Sequence, residues 1–197
     1  MSTVLELDLA VAAHDLNQHP FYRAWREGTL PRETLARYAA EYSRFIATLP
    51  EGWASLGYAA HAEEERHHAE LWNQFETALA ARPDACEEVD ALVAETSKAF
   101  ASRATAIGAL YAFEAQQPAT AKSKLDGLRE HYDLGAAGEA YFALHADDYG
   151  EKDTLGAEMM KLSSDDRAIA VAACERTCRA MWRALDGVYG AAGTLPA

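Results

Sequence analysis

Thr29-Leu-Pro-Arg-Glu-Thr-Leu-Ala-Arg-Tyr-Ala-Ala-Glu-Tyr-Ser-Arg-Phe-Ile-Ala-Thr-Leu49 sets the character of the chain. Its large apolar side chains fall at Leu35, Tyr38, Tyr42, Phe45, Ile46 and Leu49. Steps of three and four residues put them on one side of a helix. Pro31 stands where a first turn tolerates it, because an N–H there has no helical partner. Pro50 ends or kinks the run, since its ring clashes with the preceding turn.

The same pattern recurs outward from this segment. The spacing predicts helices over about 3–16, 20–28, 52–81, 87–101, 104–130 with an interruption at Pro118, 137–162, and 166–188. Ser163-Ser-Asp-Asp166 supplies cap residues for the last one. The composition agrees. The 197 residues include 43 alanines but only six valines and three isoleucines, so the best helix former abounds and strand formers are scarce. Sandwiches, barrels and parallel sheets are excluded on that basis. The expected fold class is an all-α bundle of seven to eight helices, one domain over 1–197 with a frayed tail at 190–197.

Charge and targeting narrow the function classes. A net charge of −13 repels phosphate backbones, which argues against nucleic-acid binding. The first fourteen residues carry acids and no basic region, and no apolar run reaches the ~18 residues of a membrane span. A cytoplasmic protein without membrane contact is expected. The three cysteines form no disulfide framework. Cys174 and Cys178 continue an apolar stripe through Met181, Leu185 and Val188.

Three segments offer metal-binding chemistry. In His61-Ala-Glu-Glu-Glu-Arg-His-His68, a helix aligns His61, Glu64 or Glu65, and His68 on one face. Imidazole and carboxylate on one face suit a single ion; a solvated charged face is the plain alternative. Glu114 lies in the apolar run Ala109-Leu-Tyr-Ala-Phe-Glu-Ala-Gln116, where a buried carboxylate needs a metal, a cation or a proton. His145 follows Tyr141-Phe142, and on a continuous helix Asp148, Tyr149 and Lys152 would share its face. Gly-rich phosphate loops, nucleophile elbows and HExxH are absent.

Several of these segments resemble the heme-oxygenase-like superfamily, which includes TenA, PqqC and metal-dependent oxidases. The nearest resemblance is to the CADD-like self-sacrificing 4-aminobenzoate synthases. His19-Pro-Phe-Tyr-Arg-Ala-Trp-Arg-Glu-Gly-Thr-Leu30 is similar to that group's His-x-Phe-Tyr-x-x-Trp-x-x-Gly-x-Leu segment. His68-Ala-Glu-Leu-Trp72 and Tyr141-Phe-Ala-Leu-His145 match its His-x-x-Leu-Trp and Tyr-Phe-x-x-His. The most specific match is the Tyr-x-x-Glu-x-Gln-x-Pro of Tyr111 to Pro118, with Lys124 ten residues after Glu114.

The resemblance implies a seven-helix bundle with a dinuclear iron or manganese site that uses O2 and reducing equivalents; the ligand changes at His61, Tyr149 and Lys152 leave a mononuclear site, an altered pair or no metal as alternatives. It implies His68, Glu114 and His145 as ligands. Tyr22 would supply an aromatic ring and Lys124 an amino group. By residue type alone, Tyr22 reads as core and Lys124 as a surface charge. The chain also departs from the pattern. His61 stands where the group has Glu, which leaves Glu64 or Glu65 as the carboxylate. Tyr149 and Lys152 stand where it has Asp and His, which leaves Asp148 as a stand-in. The expected function is therefore a non-heme iron- or manganese-dependent oxidase, in its most specific form a 4-aminobenzoate synthase consuming its own Tyr22 and Lys124. Its substrate is otherwise a small molecule, and a homodimer is in keeping with the superfamily. The alternatives are a metal-free PqqC- or TenA-like binder of a small aromatic or heterocycle, and a non-catalytic interaction protein. TenA-type hydrolysis ranks low because no cysteine matches its nucleophile.

Overall fold

The structure, a computed structural model, describes residues 3–147 and 150–190. Among the described residues eleven α-helices follow one another: α1 Val4–Ala12, α2 Pro20–Arg26, α3 Arg32–Ile46, α4 Leu49–Ser55, α5 Ala59–Ala78, α6 Glu87–Ala99, α7 Arg103–Glu114, α8 Gln117–His131, α9 Gly135–His145, α10 Glu151–Met160 and α11 Ser164–Gly190. A 3-10 turn, Leu16–Gln18, leads into α2. There is no strand among the described residues. The all-α class is as expected, while the number of segments exceeds seven to eight. The extra breaks have local causes. Gly57 divides the run expected over 52–81. Gly150, left-handed at φ +87°, divides the run expected over 137–162 and restarts it as α10. Of the expected frayed tail 190–197, Gly190 still belongs to α11, while 191–197, like Asp148 and Tyr149, lie outside the described residues.

One core gathers side chains from every helix, with Trp25, Trp53, Trp72, Tyr38, Tyr111 and Tyr141 fully buried. Leu35, Tyr38, Tyr42, Phe45 and Ile46 of α3 all face inward, as their spacing predicts. Each such side chain stabilises the fold by roughly 1.5–3 kcal/mol through burial. Cys174, Cys178, Met181, Leu185 and Val188 form the buried stripe of α11. That helix lies against α7 and α6. Its approach to α7 is set by Gly108, where a Cβ atom would stand 2.0 Å from the Ala170 carbonyl oxygen. On the other side of the bundle α5 packs on α9 and α4, and α8 packs on α9 and α2. No helix among the described residues is long and apolar enough to cross a membrane.

Candidate functional site

The acid and imidazole side chains meet where α5, α7, α9 and α10 converge at the start of α8. Glu65, His68, Glu114, His145, Asp147 and Glu151, with Gln117 and Pro118, line a cavity of about 20 Å³. Tyr141 closes it from behind, its ring stacked on His145 at 4.1 Å. The hydrogen bonds fix the tautomers. His145 Nδ1 donates to the Tyr141 carbonyl at 2.7 Å, because a carbonyl only accepts. In the neutral ring the lone pair therefore sits on Nε2, which faces His68 Nδ1 at 3.1 Å. Burial and the neighbouring positive sites at His68 and Lys124 push His145 down to about 3. It is a neutral imidazole at physiological pH, the form that ligates metals.

Glu114 accepts a 3.1 Å hydrogen bond from the Trp53 indole N–H. Its carboxyl is held well above the usual range, first by burial and then by the charges of Glu65 and Glu151. Glu65 lies 3.5 Å from His68 Nδ1 through Oε1, while its buried Oε2 has no hydrogen-bond partner. An acceptor-only oxygen left alone beside two further carboxylates is costly, and a cation would satisfy it. The donor set of carboxylate oxygens and imidazole nitrogens suits iron, manganese or zinc. The side chains nonetheless stand apart as drawn: among the described residues no three of them form a ready cage. The reason is visible in the His68–His145 hydrogen bond, which turns two candidate donor nitrogens toward each other. Binding an ion requires that bond to give way. On the orphaned oxygen and the donor chemistry, the residues fit a metal.

The structure brings together His68, Glu114 and His145, and corrects the choice of neighbours. Glu64 is exposed, whereas Glu65 is buried and lines the cavity. Glu65 lies seven residues before the buried Trp72, hence on its side of α5, and Glu64 is rotated outward. His61 does not line the cavity. Its ring packs against Trp53 at 4.6 Å and Tyr58 at 5.4 Å, behind the indole that holds Glu114. The face expected to join His145 to Lys152 does not exist, because the chain leaves the helix after α9. Lys152 turns away to pair with Asp8 at 2.8 Å, and Glu151 lines the cavity instead.

Tyr22 and Lys124 meet in a second cavity, of about 10 Å³. Lys124 Nζ lies 3.4 Å from the Tyr22 hydroxyl and 4.7 Å from the centre of its ring. Burial alone pushes Lys124 down to about 7, so its amine is substantially neutral near neutral pH. The Tyr22 hydroxyl bonds that of Tyr38 at 3.0 Å, and burial pushes Tyr22 up, so it stays a phenol. Gln116 holds this cavity in place: its amide oxygen accepts from the Leu16 N–H at 2.9 Å and its amide nitrogen donates to the Ala112 carbonyl at 3.0 Å. The sequence alone gives Trp53, Gln117, Tyr141 and Glu151 no role of their own at the site. Tyr141 and Gln117 sit in or beside recognisable motifs, whereas Glu151 has no sequence signal because Gly150 resets the helix phase.

These features define a class: a heme-oxygenase-like helical bundle with an acid–imidazole cavity in its interior. Solved structures show the same fold. A domain of unknown function with a heme oxygenase-like fold from Shewanella denitrificans superposes with a TM-score of 0.76 at 17% identity, covering 95% of this chain and 90% of that one. A TenA homolog from Pseudomonas syringae gives 0.77 at 15%, covering 94% and 90%. Residues 31–181 match the family of iron-containing redox enzymes, and the chain belongs to it. Its relatives include the 4-aminobenzoate synthase of Nitrosomonas europaea, 29% identical over 93% of this chain and 89% of that protein. The 4-aminobenzoate synthase of Chlamydia muridarum is 26% identical over 94% and 89%.

Proposed function

We propose that the protein is a metal-dependent 4-aminobenzoate synthase that consumes its own side chains. The observation that carries this reading is the pairing of Lys124 with Tyr22 inside a cavity too small for anything else. A space of about 10 Å³ holds at most one water, whereas a benzene-sized ligand needs about 150 Å³. An aromatic substrate has no room in this interior, and an aromatic ring and an amine are already there. The same argument counts against a metal-free binder of a small heterocycle at this place.

Glu65, His68, Glu114, His145 and Glu151 are the residues that would hold iron or manganese. Bound there, the metal supplies activation of O2. The chain's own groups do the rest. The neutral Lys124 amine offers a lone pair beside the Tyr22 ring, which is the form a nitrogen donor needs. The phenol of Tyr22 keeps its proton and shares it with Tyr38. Tyr141 and Trp72, packed ring to ring at 4.8 Å, exclude bulk water from the region between the cavities.

The test is anaerobic loading with Fe(II) or Mn(II), followed by air and intact-mass analysis. The reading expects at least one bound metal per chain, a mass change mapping to Tyr22 and Lys124, and release of 4-aminobenzoate. Metal binding with an unchanged Tyr22 and Lys124 removes the self-consuming reading and leaves a metal oxidase. Absence of metal binding removes both.

A further inference from the structure

Gln117 is the side chain that lines both interior cavities. On one side are the acids and imidazoles; on the other are Tyr22 and Lys124. The second cavity has no exposed residue on its walls: Leu16, Tyr22, Tyr42, Thr120, Lys124 and Met181 are all buried. The first does reach solvent, because Asp147 at its rim is exposed and Glu151 is half-exposed. Among the described residues, the exposed wall thus points to a route past Asp147 and Gln117 toward Lys124. Gln117 is held in the closed position by one hydrogen bond, its Nε2 donating to the Tyr141 hydroxyl at 2.8 Å. Rotation about the Gln117 χ angles breaks that bond and moves the amide out of the partition.

We propose that Gln117 is the specificity-determining residue between the two cavities, a sieve latched by Tyr141 that admits small neutral molecules to Lys124 and Tyr22. The size limit follows from the volumes, about 20 Å³ before the sieve and about 10 Å³ behind it. The preference for neutral species follows from the inner walls, where buried Leu16, Phe113 and Met181 offer an ion no counter-charge. The inference rests on the cavities and not on the redox reading, so the two fail separately.

Isocyanic acid, the neutral form present in cyanate solutions, is a three-heavy-atom probe larger than the single water the inner cavity can hold, so it reaches Lys124 only when Gln117 swings aside. Its carbon accepts the Lys124 nitrogen lone pair, a C–N bond forms, and the amine proton moves to the probe's nitrogen to give a urea. The metal-free protein is treated with cyanate near pH 7 and carbamylation is followed by peptide mass spectrometry. The exposed Lys122, two residues away, serves as internal reference. Gln117→Ala removes the sieve, Tyr141→Phe removes only the latch, and Met181→Ala enlarges the inner cavity without touching either. Relative to Lys122, Lys124 should react about tenfold faster or more in Gln117→Ala, because the wild type must first open locally. Tyr141→Phe should show a smaller rise and Met181→Ala none. An unchanged Lys124 rate in both Gln117→Ala and Tyr141→Phe overturns the proposal. So does a Met181→Ala rate equal to that of Gln117→Ala, which would indicate general loosening. Should Gln117→Ala not fold, Tyr141→Phe against Met181→Ala decides.

Discussion

The Lys124 amine lies 3.4 Å from the Tyr22 hydroxyl, and no carboxylate among the described residues pairs with it. A buried cation without a counter-charge destabilises the fold that contains it. Its pKa is lower in the folded chain, about 7, than the ordinary 10.5. Between those values the unfolded chain binds the proton and the folded chain does not, so stability rises with pH across that window. Lys124→Met should raise stability at pH 7, on the order of 2–5 kcal/mol. The advantage should shrink toward pH 10.5, as read by denaturant titration at several pH values. An advantage that stays constant with pH would mean that Lys124 is charged inside the fold.

Glu114 poses the same conflict with opposite sign. Its carboxyl is pushed up by burial, Glu65 and Glu151, so ionising it costs the metal-free fold. Glu114→Gln retains an acceptor for the Trp53 N–H and removes that cost. The metal-free variant should melt higher than wild type at pH 7 and the difference should fade as pH drops and Glu114 takes up its proton. Metal stoichiometry should fall at the same time. A variant that melts lower would show that the ionised carboxylate stabilises the metal-free site.

The two candidate acids of α5 separate cleanly. Glu65→Gln should lose most Fe(II) or Mn(II) affinity, by roughly ten- to a hundredfold or more as for other ligand-shell changes. Glu64→Gln, at an exposed position, should bind metal as wild type does. Isothermal titration of the two variants side by side decides; equal affinities would place the metal elsewhere.

Lys152→Met removes a cation that faces Asp8. The loss of a half-exposed ion pair should cost less than about 1 kcal/mol. Metal stoichiometry should be unchanged, measured by elemental analysis. A gain of metal would mean that Lys152 does repel the site.

Gly108→Ala puts a methyl group into the Ala170 carbonyl, so α7 and α11 must separate. Overpacking of this kind typically costs about 1–3 kcal/mol, and here the obstructing atom is backbone and has nowhere to turn. The melting temperature should fall by several degrees or more. No fall would mean that the seam is looser than drawn.

The bundle was legible because its signal is periodic. The stripe from Leu35 to Ile46 needs only a helical period to reveal which side faces the core. Three residues of the candidate site were legible for a different reason: His68, Glu114 and His145 each sit in a recognisable motif. Glu65 was within reach, since adding its phase to that of Trp72 separates it from Glu64. Glu151 was not, because the left-handed residue Gly150 rotates everything that follows by an amount no periodicity records. The burial of Lys124 was hidden too. Its neighbours Lys122, Ser123 and Asp126 are those of a surface helix, and only the packing of α8 on α2 and α9 turns it inward.

Gln116 reaches back across the bundle to the Leu16 amide, just ahead of the helix that carries Tyr22, and it stands two residues after Glu114. One short stretch of chain thus bears both a cavity-lining acid and the tether of the segment that leads to Tyr22. Two residues of backbone therefore set the distance between that acid and that tether, so an insertion in the α7–α8 elbow would displace one relative to the other.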